Sequence, residues 1–312
     1  MPLTAICASH TPLMKHITIP PDTRGMIDGA FQALAGIVRD SKPDLIIQFS
    51  PDHFNGFFYE LMPAFCVGTA AESIGDWGTK PGPLNVPEDI AAALAKALLD
   101  SGIDAAVSYK MRVDHGFIQL WENMLDDLPS TPLIPIFINC AAPPLPTFQR
   151  VRLLGEAAGR FALATGKRVL FAASGGLSHD PPTPQLATAA PEIRARIINR
   201  FSPTPEERAQ RETRIIEIGT LAQAGKASVL PVSEVWDRAF LDTVQHHPVS
   251  TFDAQSTAAL APVAGRGGPE VLCWLAALAA LSTAGPYDTK LHFYEAIQGW
   301  IAGMALLSAQ TR

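Results

Sequence analysis

Eight histidines are spread through the 312 residues, and four of them sit beside glycine, proline or serine, just after short apolar runs. His10 lies in Ala8-Ser9-His10-Thr11-Pro12, and His53 in Ser50-Pro51-Asp52-His53-Phe54-Asn55-Gly56. His115 lies in Val113-Asp114-His115-Gly116, and His179 in Ser174-Gly175-Gly176-Leu177-Ser178-His179-Asp180. Imidazole titrates near neutral pH and, when neutral, ligates borderline divalent metals, so both metal binding and acid/base work are open to this set. A two-histidine metal site needs a further ligand, normally a carboxylate. Glu270, in Gly267-Gly268-Pro269-Glu270-Val271, is the candidate, although a carboxylate at a helix start is also favoured by the helix dipole alone. Asp52 and Asp114, adjacent to His53 and His115, are placed to orient imidazoles through hydrogen bonds. The other histidines read as structural or solvated: His16 in an exposed loop, His246 and His247 near a helix end, His292 in an aromatic run. The Gly175-Gly176 pair lacks both G-x-G-x-x-G and a P-loop lysine, so it signals phosphate binding only weakly.

The elements that must position these groups follow from hydrophobic periodicity. Apolar runs of strand length occur at 3–8, 45–49, 64–67, 133–138 and 169–173, each bounded by turn-forming or charged residues. Between them, 22–39, 87–101 and 147–164 place apolar residues at three- and four-residue spacing, as amphipathic helices do. Strands alternating with helices predict an α/β fold with a mostly buried sheet, and functional groups at strand ends would converge in the crevice at its carboxyl edge. Beyond Pro184 the stretches 192–199 and 205–224 are helical and charge-rich, the apolar run 271–281 reads as a buried helix, and no strand is expected. The expectation is one domain over 1–312, an α/β core at 1–184 and a mainly helical part at 185–312 that supplies the carboxylate.

A composition 47% apolar and 17% charged can bury a large core and excludes a disordered chain. With 24 Lys+Arg against 30 Asp+Glu and no basic run, the footprint for nucleic acid is missing. The longest apolar run is too short for a membrane helix, and the opening Pro2-Leu3-Thr4 shows no leader pattern, so a cytoplasmic location is expected. The four cysteines lie far apart without a C-x-x-C pair and read as buried free thiols.

Taken together, S-H-T-P-L at Ser9 to Leu13, P-D-H-F-N-G-F-F-Y at Pro51 to Tyr59, S-Y-K-M-R-V-D-H-G-F at Ser108 to Phe117 and S-G-G-L-S-H at Ser174 to His179 resemble the class III extradiol ring-cleavage dioxygenases. This is the superfamily named for the protocatechuate dioxygenase β subunit. P-L-P-T-F-Q-R at Pro144 to Arg150 and G-W-I-A-G at Gly299 to Gly303 fit as well, and the resemblance spans essentially the whole chain. It implies a ferrous iron held by His10, His53 and Glu270, with Glu295 or Glu234 as the next carboxylates to consider. It implies further that His179 takes a proton from a catechol, that His115 acts as the acid during ring opening, and that Asp114 tunes His115. N-G-F-F-Y and S-G-G-L-S-H narrow the resemblance to the phenylpropionate branch. The implied substrates are O2 and 3-(2,3-dihydroxyphenyl)propionate or 2,3-dihydroxycinnamate, opened to a 2-hydroxy-6-oxo-dienedioate. The side-chain carboxylate then needs a cation or several amide donors, which the motifs do not identify. Phe57 and Tyr59, in the aromatic run beside His53, are candidates to wall the ring, and a homo-oligomer is the implied assembly. The competing readings are a dioxygenase for another catechol, a zinc hydrolase on the same scaffold, and a non-catalytic scaffold protein.

Overall fold

Apolar runs bounded by turn residues form strands buried on both faces, and alternating helices cover them. The computed structural model describes residues 3–125, 127–200 and 202–312; Pro2, part of the opening read for a leader, lies outside them. In chain order come β1 (Thr4–Ala8), α1 (Pro21–Ser41), β2 (Leu45–Ser50), β3 (Phe65–Gly68), β4 (Ala71–Ser73), β5 (Gly82–Pro83) and α2 (Glu88–Asp100). They are followed by β6 (Ala106–Ser108), β7 (Met111–Val113), α3 (His115–Leu125), β8 (Leu133–Ile138), α4 (Phe148–Ala164) and β9 (Val169–Ser174). All five expected strands are present, and every residue in them is buried. The helices begin where local chemistry favours it: the Thr147 hydroxyl accepts the Arg150 N–H at the start of α4.

The second part contains α5 (Pro191–Ile198), α6 (Pro205–Gln223), α7 (Glu234–His246), α8 (Ala261–Ala264) and α9 (Val271–Ser282). A capping box between Thr204 and Glu207 opens α6. The structure departs from expectation after α9, where β10 (Tyr287–Ile297) and β11 (Ala302–Thr311) form a long hairpin. Ala302 to Ala309 is rich in alanine, leucine and methionine, which favour helix in isolation. Antiparallel pairing of β11 with β1 overrides that preference, and residues 302–309 are all buried.

The large sheet runs β10-β11-β1-β9-β2-β8-β3-β6, and β5-β4-β7 form a small one. The 1–184 and 185–312 parts therefore share one sheet. α9, buried from Val271 to Leu281, packs against that sheet and α4, which places Glu270 at its N-terminal end inside the protein. All four cysteines are buried and free. Among the described residues no helix is long and apolar enough to cross a membrane.

Candidate active site

Three of the four histidines are brought together by strand order. β1, β9 and β2 are adjacent and parallel, so their carboxyl ends open on one edge, with His10 just past β1, His179 past β9 and His53 past β2. His115 joins them as the first residue of α3. α3 is itself anchored to β2: the buried Gln48 amide donates to Phe117 O at 2.9 Å and its oxygen accepts the Trp121 indole N–H at 2.6 Å. All four imidazoles line a single cavity of about 240 Å³. The rings of His53 and His115 stack with centroids 4.6 Å apart, and that of His10 meets them edge-on at 5.4 and 5.7 Å.

Glu270 supplies the negative centre of this group. Its carboxylate faces Nε2 of His53 at 3.2 Å, Nε2 of His179 at 3.0 Å and Nε2 of His10 at 3.8 Å, and it accepts the Gly176 N–H at 2.8 Å. Burial alone would raise the pKa of Glu270, but the charge of His179, the nearness of His10 and hydrogen bonds from His179 and His53 hold it well below the usual carboxylate range. Burial outweighs the attraction of Glu270 at His10 and lowers its pKa to about 3. Burial also acts against the charged form of His53, but Asp114 and Glu270 outweigh it and raise the pKa well above normal. In His179 burial is likewise outweighed by Glu270 and the Leu177 carbonyl.

The remaining ring nitrogens are engaged in ways that fix orientation. Nδ1 of His53 donates to Asp114 Oδ2 at 2.9 Å, Nδ1 of His179 donates to Leu177 O at 2.8 Å, and Nδ1 of His10 lies 3.1 Å from Ser174 Oγ. Each therefore turns Nε2 toward Glu270. Bonds of about 2.1 Å to one cation at right angles would set donor atoms about 3 Å apart, close to the observed Nε2 to carboxylate spacings. Two imidazoles and one carboxylate thus fit a divalent metal. Nitrogen atoms of His10, His53 and His115 also lie within 4.8 Å of one another, so spacing alone admits a three-histidine set.

Several expected pairings are corrected. Asp114 makes no hydrogen bond to the His115 ring, although the two lie close enough for the charge of His115 to act on it; its hydrogen bonds take the ring and backbone N–H of His53 and the Asn55 amide at 2.9 to 3.0 Å. The partner of His115 is Asp76, which accepts its Nδ1–H at 2.5 Å and its backbone N–H at 2.8 Å. Asp52 orients no imidazole and instead accepts the backbone N–H groups of Asn55, Gly56 and Phe57, shaping the turn after His53. Glu295 accepts from Thr23 and Glu234 from Arg238, both apart from the cluster. Phe57 stacks on Phe137 at 3.9 Å and Tyr59 packs on Phe54, and neither lines the cavity; its aromatic walls are Phe54, Phe58, Trp77 and Trp300.

Asp76 escaped the sequence reading because nothing in Gly75-Asp76-Trp77-Gly78 marks a site, and it lies 39 residues from His115. Asp76→Asn is expected to lower kcat about 10- to 100-fold, the usual cost of losing a group that orients a functional histidine. KM and metal content are expected to stay as in the parent, and an unchanged kcat would remove Asp76 from the positioning machinery.

Close packing and backbone strain concentrate here. A Cβ on Gly116 would stand 2.7 Å from His53 Cε1 and 3.1 Å from His10 Nε2, and one on Gly267 would stand 2.0 Å from His179 Nε2. Only glycine lets the backbone come so near the imidazoles. Of the four described non-glycine residues with positive φ, Phe54, Trp77 and Ile301 line the cavity, at φ of 57°, 52° and 51°. Left-handed backbone at such residues persists only where surrounding contacts enforce it.

Comparison with known proteins agrees with this geometry. Residues 4–305 match the family described as the catalytic LigB subunit of aromatic ring-opening dioxygenase. A Photorhabdus laumondii protein named 2,3-dihydroxyphenylpropionate/2,3-dihydroxicinnamic acid 1,2-dioxygenase is 47% identical over 310 residues, covering 99% of this chain and 98% of its own. Proteins of the same name from a Rhodococcus species (46% identical, 99% of this chain and 98% of theirs) and, with a final numeral, Pseudomonas putida (44%, 98% and 98%) are also similar. An uncharacterized Escherichia coli K12 protein shares the fold, with a TM-score of 0.54 at 16% identity over 99% of this chain and 100% of its own. The match over nearly the whole chain, on a scaffold that gathers four imidazoles in one cavity and sets a buried carboxylate against three of them, makes this chain a member of the aromatic ring-opening dioxygenase family.

Proposed function

We propose that the chain is an Fe(II)-dependent extradiol dioxygenase that opens the ring of catechols bearing a three-carbon acid side chain, 3-(2,3-dihydroxyphenyl)propionate and 2,3-dihydroxycinnamate. The observation that carries this reading is Glu270, buried behind the imidazoles, which meets Nε2 of His53 and His10, while His115 and His179 line the same cavity as those two rings. The names of the relatives supply the substrate class. We assign His10, His53 and Glu270 as ligands. When bound, ferrous iron on such a triad keeps positions open for both catechol oxygens and for O2 and lets electrons pass between them.

The side chains divide the remaining work. His179 commits Nδ1–H to Leu177 O, which leaves Nε2, the atom now facing Glu270, as the one to exchange a proton with a catechol. His115 holds Asp76 through Nδ1 and has Nε2 left to return a proton as the ring opens. Phe54, Phe58 and Trp77 flank the imidazoles and exclude water from the aromatic ring. The reading includes a cytoplasmic homo-oligomer, which sedimentation velocity and cell fractionation test.

Oxygen uptake by the ferrous-reconstituted protein with 2,3-dihydroxyphenylpropionate, matched by a yellow ring-opened product, is the expected result. Uptake on no catechol, or full activity of iron-free protein loaded with zinc, would defeat it, because zinc is redox-inert.

A further inference from the structure

A catechol with an acid side chain presents two unlike regions, and the cavity wall divides in the same way. Around the imidazoles it is aromatic. Toward α5 and α6 it becomes cationic, where Arg196, Arg208, Arg211 and Arg214 all border the space in a chain of net charge −6. Of the carboxylates on this side, Asp76 accepts from His115 and Glu212 accepts the Trp77 backbone N–H at 3.0 Å.

Arg211 stands out within this group. It is partly buried, and among the described residues its guanidinium has no hydrogen bond or ion pair. Burial, with the nearby charges of Arg196 and Arg208, lowers its pKa against the weaker pull of Asp76 and Asp114. A guanidinium withdrawn from water beside like charges is costly unless an anion reaches it. Its planar fork of donors matches the two oxygens of a carboxylate.

We propose that Arg211, flanked by Arg208, receives the side-chain carboxylate of the substrate while the diol lies against the imidazoles, and that this contact selects acidic over neutral catechols. The inference rests on the ring-cleavage reading for its substrate, but its test does not depend on turnover. Metal-free protein is titrated by calorimetry with 3-phenylpropionate and with 3-phenylpropan-1-ol, which lack the diol and report on the side-chain end alone.

The parent protein is expected to prefer the carboxylate. Arg211→Gln is expected to cut the ratio of the two affinities about 10- to 100-fold, the usual range for a charge-assisted pair. Arg211→Lys keeps the charge without the fork and should retain part of the preference; it carries the test if the glutamine variant does not fold. A parent protein without preference, or variants whose preference is undiminished, overturns the assignment. Oxygen uptake with 2,3-dihydroxyphenylpropionate and 3-propylcatechol is measured in parallel. No uptake on either, beside an Arg211-dependent carboxylate preference, would sink the ring-cleavage reading and leave this one standing.

Discussion

Glu270→Ala is expected to abolish turnover and to weaken metal binding by more than about 100-fold, since losing a group that merely orients a ligand costs about 10- to 100-fold. The carboxylate faces His10, His53 and His179 together, and it is kept ionised chiefly by the charge of His179 and by hydrogen bonds from His179 and His53. Without it, a divalent ion would meet two imidazoles in a buried site and no neutralising charge, a poor exchange for its water shell. Glu270→Gln preserves the volume and removes the charge, so it should fail in the same way and separate electrostatics from packing. Metal analysis after anaerobic reconstitution, with oxygen uptake on the same samples, reads both effects. Full metal content in Glu270→Ala, with loss in His115→Ala, would instead assign the three-histidine set of His10, His53 and His115.

The second large effect separates the proton-handling histidines from the ligands. His115→Ala and His179→Ala are each expected to lower kcat about 10²- to 10⁴-fold, the range for removing a positioned acid or base, with metal content held at the parent level. The structure distinguishes the two by their partners: Asp76 fixes the ring of His115, while a backbone carbonyl and Glu270 hold that of His179. His179 should govern entry of the catechol as an anion, so its variant is expected to recover partly with more acidic catechols. The His115 variant is not. Loss of metal in either would move that histidine among the ligands, and recovery by both alike would contradict the division of labour.

What could be read from the residues alone is instructive in its detail. The five buried strands were legible because an apolar run that ends at Ser, Pro or Gly has few other places to go. The histidines just past three of them were legible as site residues for the same reason: strand ends are where an α/β sheet presents its chemistry. Partnership was not legible. Asp114 is adjacent to His115 in the chain yet serves His53, because a side chain at a helix start points to what packs above it rather than to its neighbour. Asp76 reaches His115 only through the small sheet, in which β4 pairs with β7 directly before α3. The aromatic run divides in a similar way, with Phe54 and Phe58 on the cavity and Phe57 turned onto Phe137.

By itself the sequence determined the α/β class, the places where four imidazoles leave the scaffold and the family to which the chain belongs, since periodicity and short motifs are local properties. Tertiary structure alone decided the β10–β11 hairpin, and with it the support of the site. Ser9 donates to Gly303 O at 2.8 Å, Thr11 donates to Trp300 O at 3.1 Å and Gly303 N donates to Ser178 O at 2.9 Å, so the hairpin ties down the loops that carry His10 and His179. Those bonds span up to 294 residues of chain. They form because a buried backbone polar group must find a partner wherever the fold offers one, and local propensity cannot report such a choice.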